Sequence, residues 1–283
     1  MSAVSDVPFP PLELANRVGA IADQPDPFGY YTNIGAGTRA YLLDVLPADW
    51  SFAGKRILDF GCGAGRTLRH FLGEAKESEI WGCDIDEPSI AWLRANLSPP
   101  LHAVPNGPVP PLTFDDKFFD FVYVISVFTH LTDSWSAWLL EMHRILADDG
   151  ILIATFMGEG LCDVMSGEPW VEDRIGMNVY SPDQEWDKGG PMVLHSPWWI
   201  RAHWGRAFEI LDLHPYGFLD QGVSGQGVVV MRKRPGRFTT GDLEALEPGE
   251  VREHVALKHM IDSLQSEVGQ LRAYARSLQE AQA

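Results

Sequence analysis

A short apolar strand that runs directly into a glycine-rich turn, residues 56–66, constrains the fold more than any other feature. Its sequence is RILDFGCGAGR, in which Gly61, Gly63 and Gly65 occupy alternate positions. Glycine is needed where the backbone takes a positive φ or approaches a ligand closely, and the first amides of a following helix point toward such a ligand. The segment therefore predicts a nucleotide-like cofactor at the end of a buried strand.

From residue 56 onward, short apolar strands alternate with amphipathic helices, which is typical of a parallel sheet covered on both faces. Strands are predicted near 56–60, 80–84, 101–104, 119–125, 151–156, 208–213 and 227–232, and helices near 66–74, 87–97, 135–146 and 197–205. Residues 157–195 interrupt this alternation, and a connection of that length is usually either functional or partly disordered. The expected fold class is α/β.

The acidic residues around the turn distinguish between two cofactors. A dinucleotide-binding loop reads GxGxxG, whereas here Gly65 comes one position early and Arg66 stands where that fingerprint has Gly or Ala. Asp59, two positions before Gly61, can pair with a cationic amine. Asp84 ends the next predicted strand, where a carboxylate suits two ribose hydroxyls. This arrangement weakens NAD as the cofactor and favours one with an amine.

Two later segments extend the pattern. Residues 118–131 read as a fourth strand with its following loop, and residues 144–150 as the turn before a fifth strand, although Asp148 and Asp149 replace the usual Pro-Gly there. Together with the glycine turn, these segments resemble the class I S-adenosylmethionine (SAM)-dependent methyltransferases over about residues 55–233. The resemblance implies SAM as cofactor. It also implies a Rossmann-like seven-stranded, mostly parallel sheet with helices on both faces and an antiparallel seventh strand.

The resemblance assigns cofactor-binding residues by position. The three glycines would line the methionine and ribose, with Asp59 near the amine, Asp84 on the ribose diol and Ile85 against the adenine face. The adenine amine usually meets an Asp after the third strand. This chain has Asn106 there, whose side-chain carbonyl could accept the same bond. Ser126, in the loop after the fourth strand, completes the expected set.

Catalysis requires mainly that a nucleophile be aligned with an already electrophilic methyl group, and a hydroxyl nucleophile also benefits from a general base. His130, in the loop after the fourth strand, is the candidate base. It could equally be structural and bind backbone at the start of the next helix. His195 is a weaker second candidate. No Asp/Asn trio suggests the metal site of catechol-type methyltransferases, so no metal is expected.

The chain divides into four predicted parts. Residues 1–54 form an N-terminal extension or cap, 55–235 the SAM-binding domain, 236–249 a linker and 250–283 a C-terminal helix. The pair Tyr30–Tyr31 could close over the cofactor from the extension or only pack the extension onto the domain.

Apolar residues of the C-terminal helix repeat alternately four and three positions apart, at Leu257, Ile261, Leu264, Val268, Leu271, Ala275 and Leu278. This is the coiled-coil period, and branched residues at one seam position with Leu at the other favour a parallel dimer. The repeat predicts a homodimer; the alternative is a single amphipathic helix lying back on its own domain.

Composition limits the partners. The net charge of −17 argues against nucleic acid, which is bound through clustered Lys and Arg, and against an anionic membrane surface. No apolar run approaches a membrane span, and the N-terminal residues do not resemble a signal peptide. Three widely spaced cysteines imply no disulfide framework. A cytoplasmic location is therefore expected.

The acceptor is the least constrained part of the prediction. Five tryptophans lie in or just after the irregular region and could stack on a sugar ring or simply fill the core: Trp170, Trp186, Trp198, Trp199 and Trp204. The leading hypothesis is methyl transfer to a hydroxyl of a small molecule or glycan. An N-methyltransferase, a non-catalytic SAM-binding scaffold and an NAD-dependent oxidoreductase are the alternatives.

Overall fold

The computed structural model of the protein describes residues 7–185, 189–219 and 225–281. Trp186 and the two extreme ends of the chain lie outside the described residues. The strands are β1 Arg56–Phe60, β2 Glu79–Asp84, β3 His102–Pro105, β4 Phe119–Val124, β5 Leu146–Met157, β6 Met177–Tyr180, β7 Met192–His195, β8 Phe208–His214 and β9 Gln226–Lys233. The α-helices are α1 Leu12–Asn16, α2 Pro27–Val45, α3 Glu87–Asn96, α4 Trp135–Ile145, α5 Cys162–Ser166, α6 Pro197–Ala207, α7 Thr240–Glu244 and α8 Arg252–Ala281.

Seven strands form the body of the sheet in the order β3-β2-β1-β4-β5-β9-β8. Strands β1 to β5 pair in parallel, β9 runs antiparallel to β5, and β8 runs antiparallel to β9. The α/β prediction of a mostly parallel Rossmann-like sheet with an antiparallel last strand is confirmed. Because β1 to β5 share one direction, their carboxyl ends meet at the same edge of the sheet.

Helices cover both faces of the sheet, so both faces are buried. Neighbouring residues along each strand point to opposite sides and therefore enter different cores. Leu58 and Val122 face a core that contains α4 and α6. Ile57 and Phe121 face a second core closed by α2 and α3. A central parallel strand such as β4 therefore needs apolar residues at nearly every position, because both of its faces are buried.

Residues 157–195, predicted to be irregular, contain two additional strands. β7 joins the end of β5 through the parallel pair Met157–Leu194, and β6 pairs antiparallel with β7. Within the described residues the sheet therefore has nine strands. Strands β6 and β7 have four residues each. That is too short for the alternation of apolar and polar residues to be recognised in the sequence.

The segment after the glycine turn differs from the predicted α-helix over 66–74. It forms two 3-10 helices, Leu68–Phe71 and Glu74–Lys76, which are separated at Gly73. The buried Arg69 side chain turns inward and donates to two carbonyl oxygens of the N-terminal extension at 2.8 and 2.7 Å. That anchor lies about 60 residues earlier in the chain, so local propensity could not reveal it.

The segment predicted as a linker, 236–249, contains the short helix α7. Thr239 begins this helix with a capping box, because its hydroxyl accepts from the Asp242 amide at 3.1 Å while the Asp242 carboxylate accepts from the Thr239 amide at 2.7 Å. Leu243 is fully buried in the core formed with α4 and α6. The segment is therefore part of the packed domain.

Glu141 ties α4 to the loop before β4. Its carboxylate accepts from the Leu112 amide at 2.7 Å and from the Arg144 guanidinium at 2.6 and 2.9 Å. Glu141→Ala should lower the free energy of unfolding by about 1–3 kcal/mol, because the buried Leu112 amide loses its acceptor. Urea unfolding would measure this. Asp148→Ala, which breaks an exposed ion pair with Lys117, should have a much smaller effect; equal losses would contradict the assignment.

Candidate functional site

The glycine turn after β1 adopts the left-handed backbone that the sequence predicted. The φ angles are +84° at Gly61, +51° at Gly63 and +78° at Gly65, a region that other residues rarely enter. The Gly61 amide donates to the Cys83 carbonyl at 2.8 Å and thereby fixes the turn to β2. The turn lies at the carboxyl edge of the sheet, where ligands bind in folds of this kind.

Two aliphatic side chains lie over this turn. A Cβ added at Gly63 would lie 2.2 Å from Cγ1 of Val18, and one added at Gly61 would lie 2.3 Å from Cγ2 of Val127. The Arg66 guanidinium also donates to the Val18 carbonyl. The N-terminal extension therefore covers the turn directly, a contact that the sequence analysis missed because no local pattern marks Val18.

Asp84 holds the turn from the side. One of its carboxylate oxygens accepts from the Gly63 amide at 2.6 Å and the other from the Asp86 amide at 2.8 Å. Burial raises the pKa of Asp84, and these two backbone bonds oppose that rise. Each oxygen keeps further lone pairs, so the carboxylate can accept two more hydrogen bonds at the edge of the sheet.

Asp59 is buried beneath the turn. Burial raises the pKa of its carboxyl to about 8, the nearby charge of Asp84 also raises it, and Tyr123 and Arg66 lower it. At neutral pH the carboxyl is therefore protonated, because the ionised form lacks solvent and lies beside a second carboxylate. A cationic ligand placed beside Asp59 would favour ionisation.

The predicted adenine contacts lie at the ends of neighbouring strands. Asn106 follows β3, and its backbone amide donates to the Asp84 carbonyl at 3.0 Å. Its side-chain nitrogen donates to the Gly107 carbonyl at 2.9 Å, whereas its buried side-chain oxygen has no partner among the described residues. Ile85, half-buried, directly follows β2. The structure thus brings Asp84, Ile85 and Asn106 to one edge.

Ser126 begins the loop after β4 with a left-handed φ of +58°. Its amide donates to the Thr155 hydroxyl at 2.7 Å, and its own hydroxyl exchanges hydrogen bonds with the Gln226 side chain at 3.1 and 2.8 Å. Thr155 and Gln226 were missed by the sequence analysis, since Gln226 lies 100 positions away and carries no motif. These contacts fix the start of the loop that carries His130.

His130 is half-buried in the same loop, and its Nδ1 lies 2.8 Å from the carbonyl oxygen of Pro191. A carbonyl oxygen only accepts, so Nδ1 carries the hydrogen and Nε2 keeps a lone pair. Burial lowers the pKa of His130, and the Pro191 carbonyl partly offsets this. The ring is therefore neutral at pH 7 with Nε2 available as a proton acceptor, which is the state that a general base requires.

His195, the second histidine candidate, lies inside the core. Its side chain is fully buried between Trp199 and Trp204, with ring centroids 5.3 and 5.6 Å away. Burial lowers its pKa to about 3, and its side chain has no exposure to solvent. Trp198, Trp199 and Trp204 are likewise buried. These residues fill the core.

The N-terminal extension is fixed to the site by two further contacts. The buried Tyr31 hydroxyl donates to the Ala64 carbonyl in the glycine turn at 3.1 Å. Arg17 pairs with the buried Asp86, which follows β2. Of the two tyrosines, Tyr31 packs against the turn while Tyr30 is half-buried beside it. The extension therefore forms one wall of the site.

Two cavities lie away from the glycine turn. One of about 300 Å³ borders α5 and includes Cys162, Tyr180 and His259; a second, more open one of about 580 Å³ includes Trp198 and Arg252. Among the described residues no three His, Cys, Asp or Glu side chains group as metal ligands would. None of the helices in the described part of the chain is long and apolar enough to cross a membrane.

Comparison with known proteins identifies the domain. A profile described as methyltransferase domain matches residues 58–154, which run from β1 into β5. The tRNA U34 carboxymethyltransferase of Dichelobacter nodosus is 28% identical over 160 residues, a match that covers 55% of this chain and 44% of that protein. This chain therefore matches less than half the length of that relative.

Solved structures show the same fold. The PH0226 protein from Pyrococcus horikoshii OT3 is 19% identical, with a TM-score of 0.53 over 77% of this chain and 96% of that one. A 1,6-didemethyltoxoflavin-N1-methyltransferase from Burkholderia thailandensis, solved with bound 1,6-didemethyltoxoflavin and S-adenosylhomocysteine, is 18% identical. Its TM-score is 0.50, over 81% of this chain and 93% of that one.

Residues 58–154 thus form a methyltransferase domain, and the chain has the fold of SAM-dependent methyltransferases. The predicted enzyme class and SAM cofactor are confirmed, and the similarities are consistent with the predicted class I family.

The raised pKa of Asp59 predicts a specific pH dependence of stability. Between about pH 4 and pH 8 the unfolded chain releases a proton that folded Asp59 retains, so the stability of the wild type falls as pH rises. The neutral variant Asp59→Asn lacks this term. From pH 5 to 8.5 without SAM, the wild type should lose about 4 kcal/mol more than the variant.

Urea unfolding at both pH values measures the difference. Asp115→Asn, at an exposed aspartate, should follow the wild-type curve. If Asp59→Asn also follows that curve, Asp59 is ionised in the folded protein and the assignment is wrong.

Proposed function

We propose that this protein transfers the methyl group of SAM to a hydroxyl oxygen of a small molecule or glycan, with His130 as general base. The observation that carries the proposal is the bond between Nδ1 of His130 and the Pro191 carbonyl. This bond leaves Nε2 as a proton acceptor at the carboxyl edge of the sheet, within the loop after β4.

The residues at this edge fit SAM. The glycine turn has left-handed backbone at the carboxyl edge of the sheet, and the Asp84 carboxylate has acceptor capacity left for the ribose hydroxyls. The buried, unpartnered side-chain oxygen of Asn106 would accept the adenine amine, beside Ile85. Asp59 would ionise next to the methionine amine, while Ser126 would border the cofactor from the loop after β4. The glycines and these five side chains form the proposed cofactor site.

SAM supplies an electrophilic methyl group bound to a positively charged sulfur. The chain must hold the acceptor hydroxyl in line with that carbon–sulfur bond, and such alignment can be equivalent to effective molarities of about 10⁵–10⁸ M. Nε2 of His130 would take the proton that the acceptor hydroxyl loses as its oxygen receives the methyl group.

Two other acceptor classes follow from the comparisons. The Burkholderia enzyme is named an N1-methyltransferase, and the Dichelobacter relative is named for tRNA. A neutral amine needs less help from a base, whereas the tautomer of His130 favours a hydroxyl. The net charge of −17 disfavours RNA, since phosphate binding depends on clustered cations. A SAM-binding scaffold without turnover is the non-enzymatic alternative.

A transfer screen with SAM labelled in its methyl group tests these classes directly. The acceptors should include sugar alcohols and nucleotide sugars, phenols, primary and heterocyclic amines, and a tRNA mixture. Label on an oxygen acceptor supports the proposal. Label only on nitrogen or tRNA would replace it, and binding of SAM without transfer to any acceptor class would favour the scaffold.

The cofactor assignment predicts the effect of Asp84→Ala. Loss of a carboxylate that accepts two ribose hydroxyls should cost about 1.5–3 kcal/mol, which weakens S-adenosylhomocysteine binding at least tenfold. Isothermal calorimetry measures the affinity. Glu87→Ala, at an exposed carboxylate three residues later, is the matched control and should bind normally. Unchanged affinity in Asp84→Ala would remove Asp84 from the ribose site.

The base assignment predicts both a rate and a pH profile. His130→Gln should lower kcat by about 10²–10⁴-fold while S-adenosylhomocysteine affinity stays within a few fold. Since burial lowers the pKa of His130, the wild-type kcat should stay flat from pH 8 down to about 6.5 and fall only below that, as Nε2 becomes protonated.

Asp133→Ala, an exposed change in the same loop, should retain the full rate and the same profile. Near-normal turnover in His130→Gln, or an acid limb that persists in that variant, would return His130 to a structural role.

A further inference from the structure

The outer two-thirds of α8 stands clear of the rest of the chain. Every residue from Ile261 to Glu280 is exposed, and five aliphatic side chains on this stretch are 44–58% accessible: Ile261, Leu264, Val268, Leu271 and Leu278. A helix that folded back on its own domain would have buried this seam. The exposed apolar face of a long helix marks an interaction surface.

The base of the same helix is firmly docked. The buried Glu253 carboxylate accepts from Nε2 of His203 at 2.8 Å, and the opposite ring nitrogen of His203 bonds the Leu243 carbonyl at 2.7 Å. Arg252 lies over the Trp198 ring at 5.2 Å, and Ala256 is buried. These packed first turns of α8 therefore fix the direction in which the outer part of the helix leaves the domain.

We propose that residues 257–281 pair with the same residues of a second copy as a parallel two-stranded coiled coil. With Ile261 at position a, the a positions are Ile261, Val268 and Ala275, and the d positions are Leu257, Leu264, Leu271 and Leu278. Branched residues at a with Leu at d favour two parallel strands. The seam spans roughly 30 Å along the helix axis.

The charges on this helix select a second copy as the occupant. Glu267 falls at g and Arg272 at the following e, so in a parallel pair each Glu267 faces the Arg272 of the other copy. Three basic and three acidic side chains balance between Lys258 and Glu280, whereas the whole chain carries −17. Two copies of the whole chain repel each other through their negative charge. The outer part of α8 is neutral, so two copies can associate there without that repulsion. A helix without a basic face is also poorly suited to an anionic lipid surface.

Light scattering with the full-length chain at 1–100 µM gives the first test. The mass should be twice the 31.5 kDa of one chain, and Leu264→Asp with Leu271→Asp should return it to that of one chain. Ser266→Asp, at the outward-facing f position, is the matched control and should stay dimeric. All three proteins should bind S-adenosylhomocysteine alike, which shows that the domain is folded. A monomeric wild type, or a dimer that survives the double variant, would overturn the proposal.

Charge exchange and cross-linking test the register. Glu267→Lys should weaken the dimer by severalfold, and adding Arg272→Glu should restore it. The native cysteines Cys62, Cys83 and Cys162 are buried, so a single new cysteine can be followed by oxidation. Val268→Cys should form an intermolecular disulfide, because a faces a in a parallel pair, whereas Ser266→Cys should not. No cross-link through Val268→Cys in a dimeric protein would refute the parallel arrangement.

Discussion

The Asp84 carboxylate accepts from the Gly63 amide at 2.6 Å, and the cofactor end of the molecule is organised around this bond. It joins the left-handed turn after β1 to the tip of β2. The second oxygen of Asp84 holds the Asp86 amide, and the Asp86 carboxylate in turn pairs with Arg17 of the N-terminal extension. Asp84 and Asp86 together thus connect the sheet, the turn and the segment that covers them.

This arrangement places the carboxyl groups of Asp59 and Asp84 so close together that ionisation of one disfavours ionisation of the other. Asp59 is fully enclosed, and its pKa of about 8 means that its carboxyl keeps a proton and avoids a second negative charge beside Asp84. Ionisation of Asp59 becomes favourable when a cation arrives. The site is therefore suited to a ligand that carries positive charge near the turn, as SAM does at its amine and sulfonium groups. The neutral thioether product gains less from the same acids.

The parts of this site that sequence could predict are those encoded locally. The strand, the three glycines and Asp84 lie within 29 residues of one another, and each has a residue type that its backbone position demands. The partners that fix the loop after β4 come from far along the chain, since Gln226 bonds Ser126 across 100 positions and Pro191 bonds His130 across 61. Every residue has a backbone carbonyl, so the residue type at position 191 does not reveal that its carbonyl binds His130. For the same reason, the inward Arg69 that replaces a predicted helix with 3-10 turns could not be foreseen.

The insertion between β5 and α6 supports both ends of the molecule. Its Pro191 carbonyl orients His130, and strand β7, which follows, is joined to the end of β5. On its other side, Glu172 pairs with Arg252 at 3.7 Å, and its carbonyl accepts from the Trp198 indole at 3.0 Å. The first turn of α8 and the loop that carries His130 therefore both contact the insertion between β5 and α6.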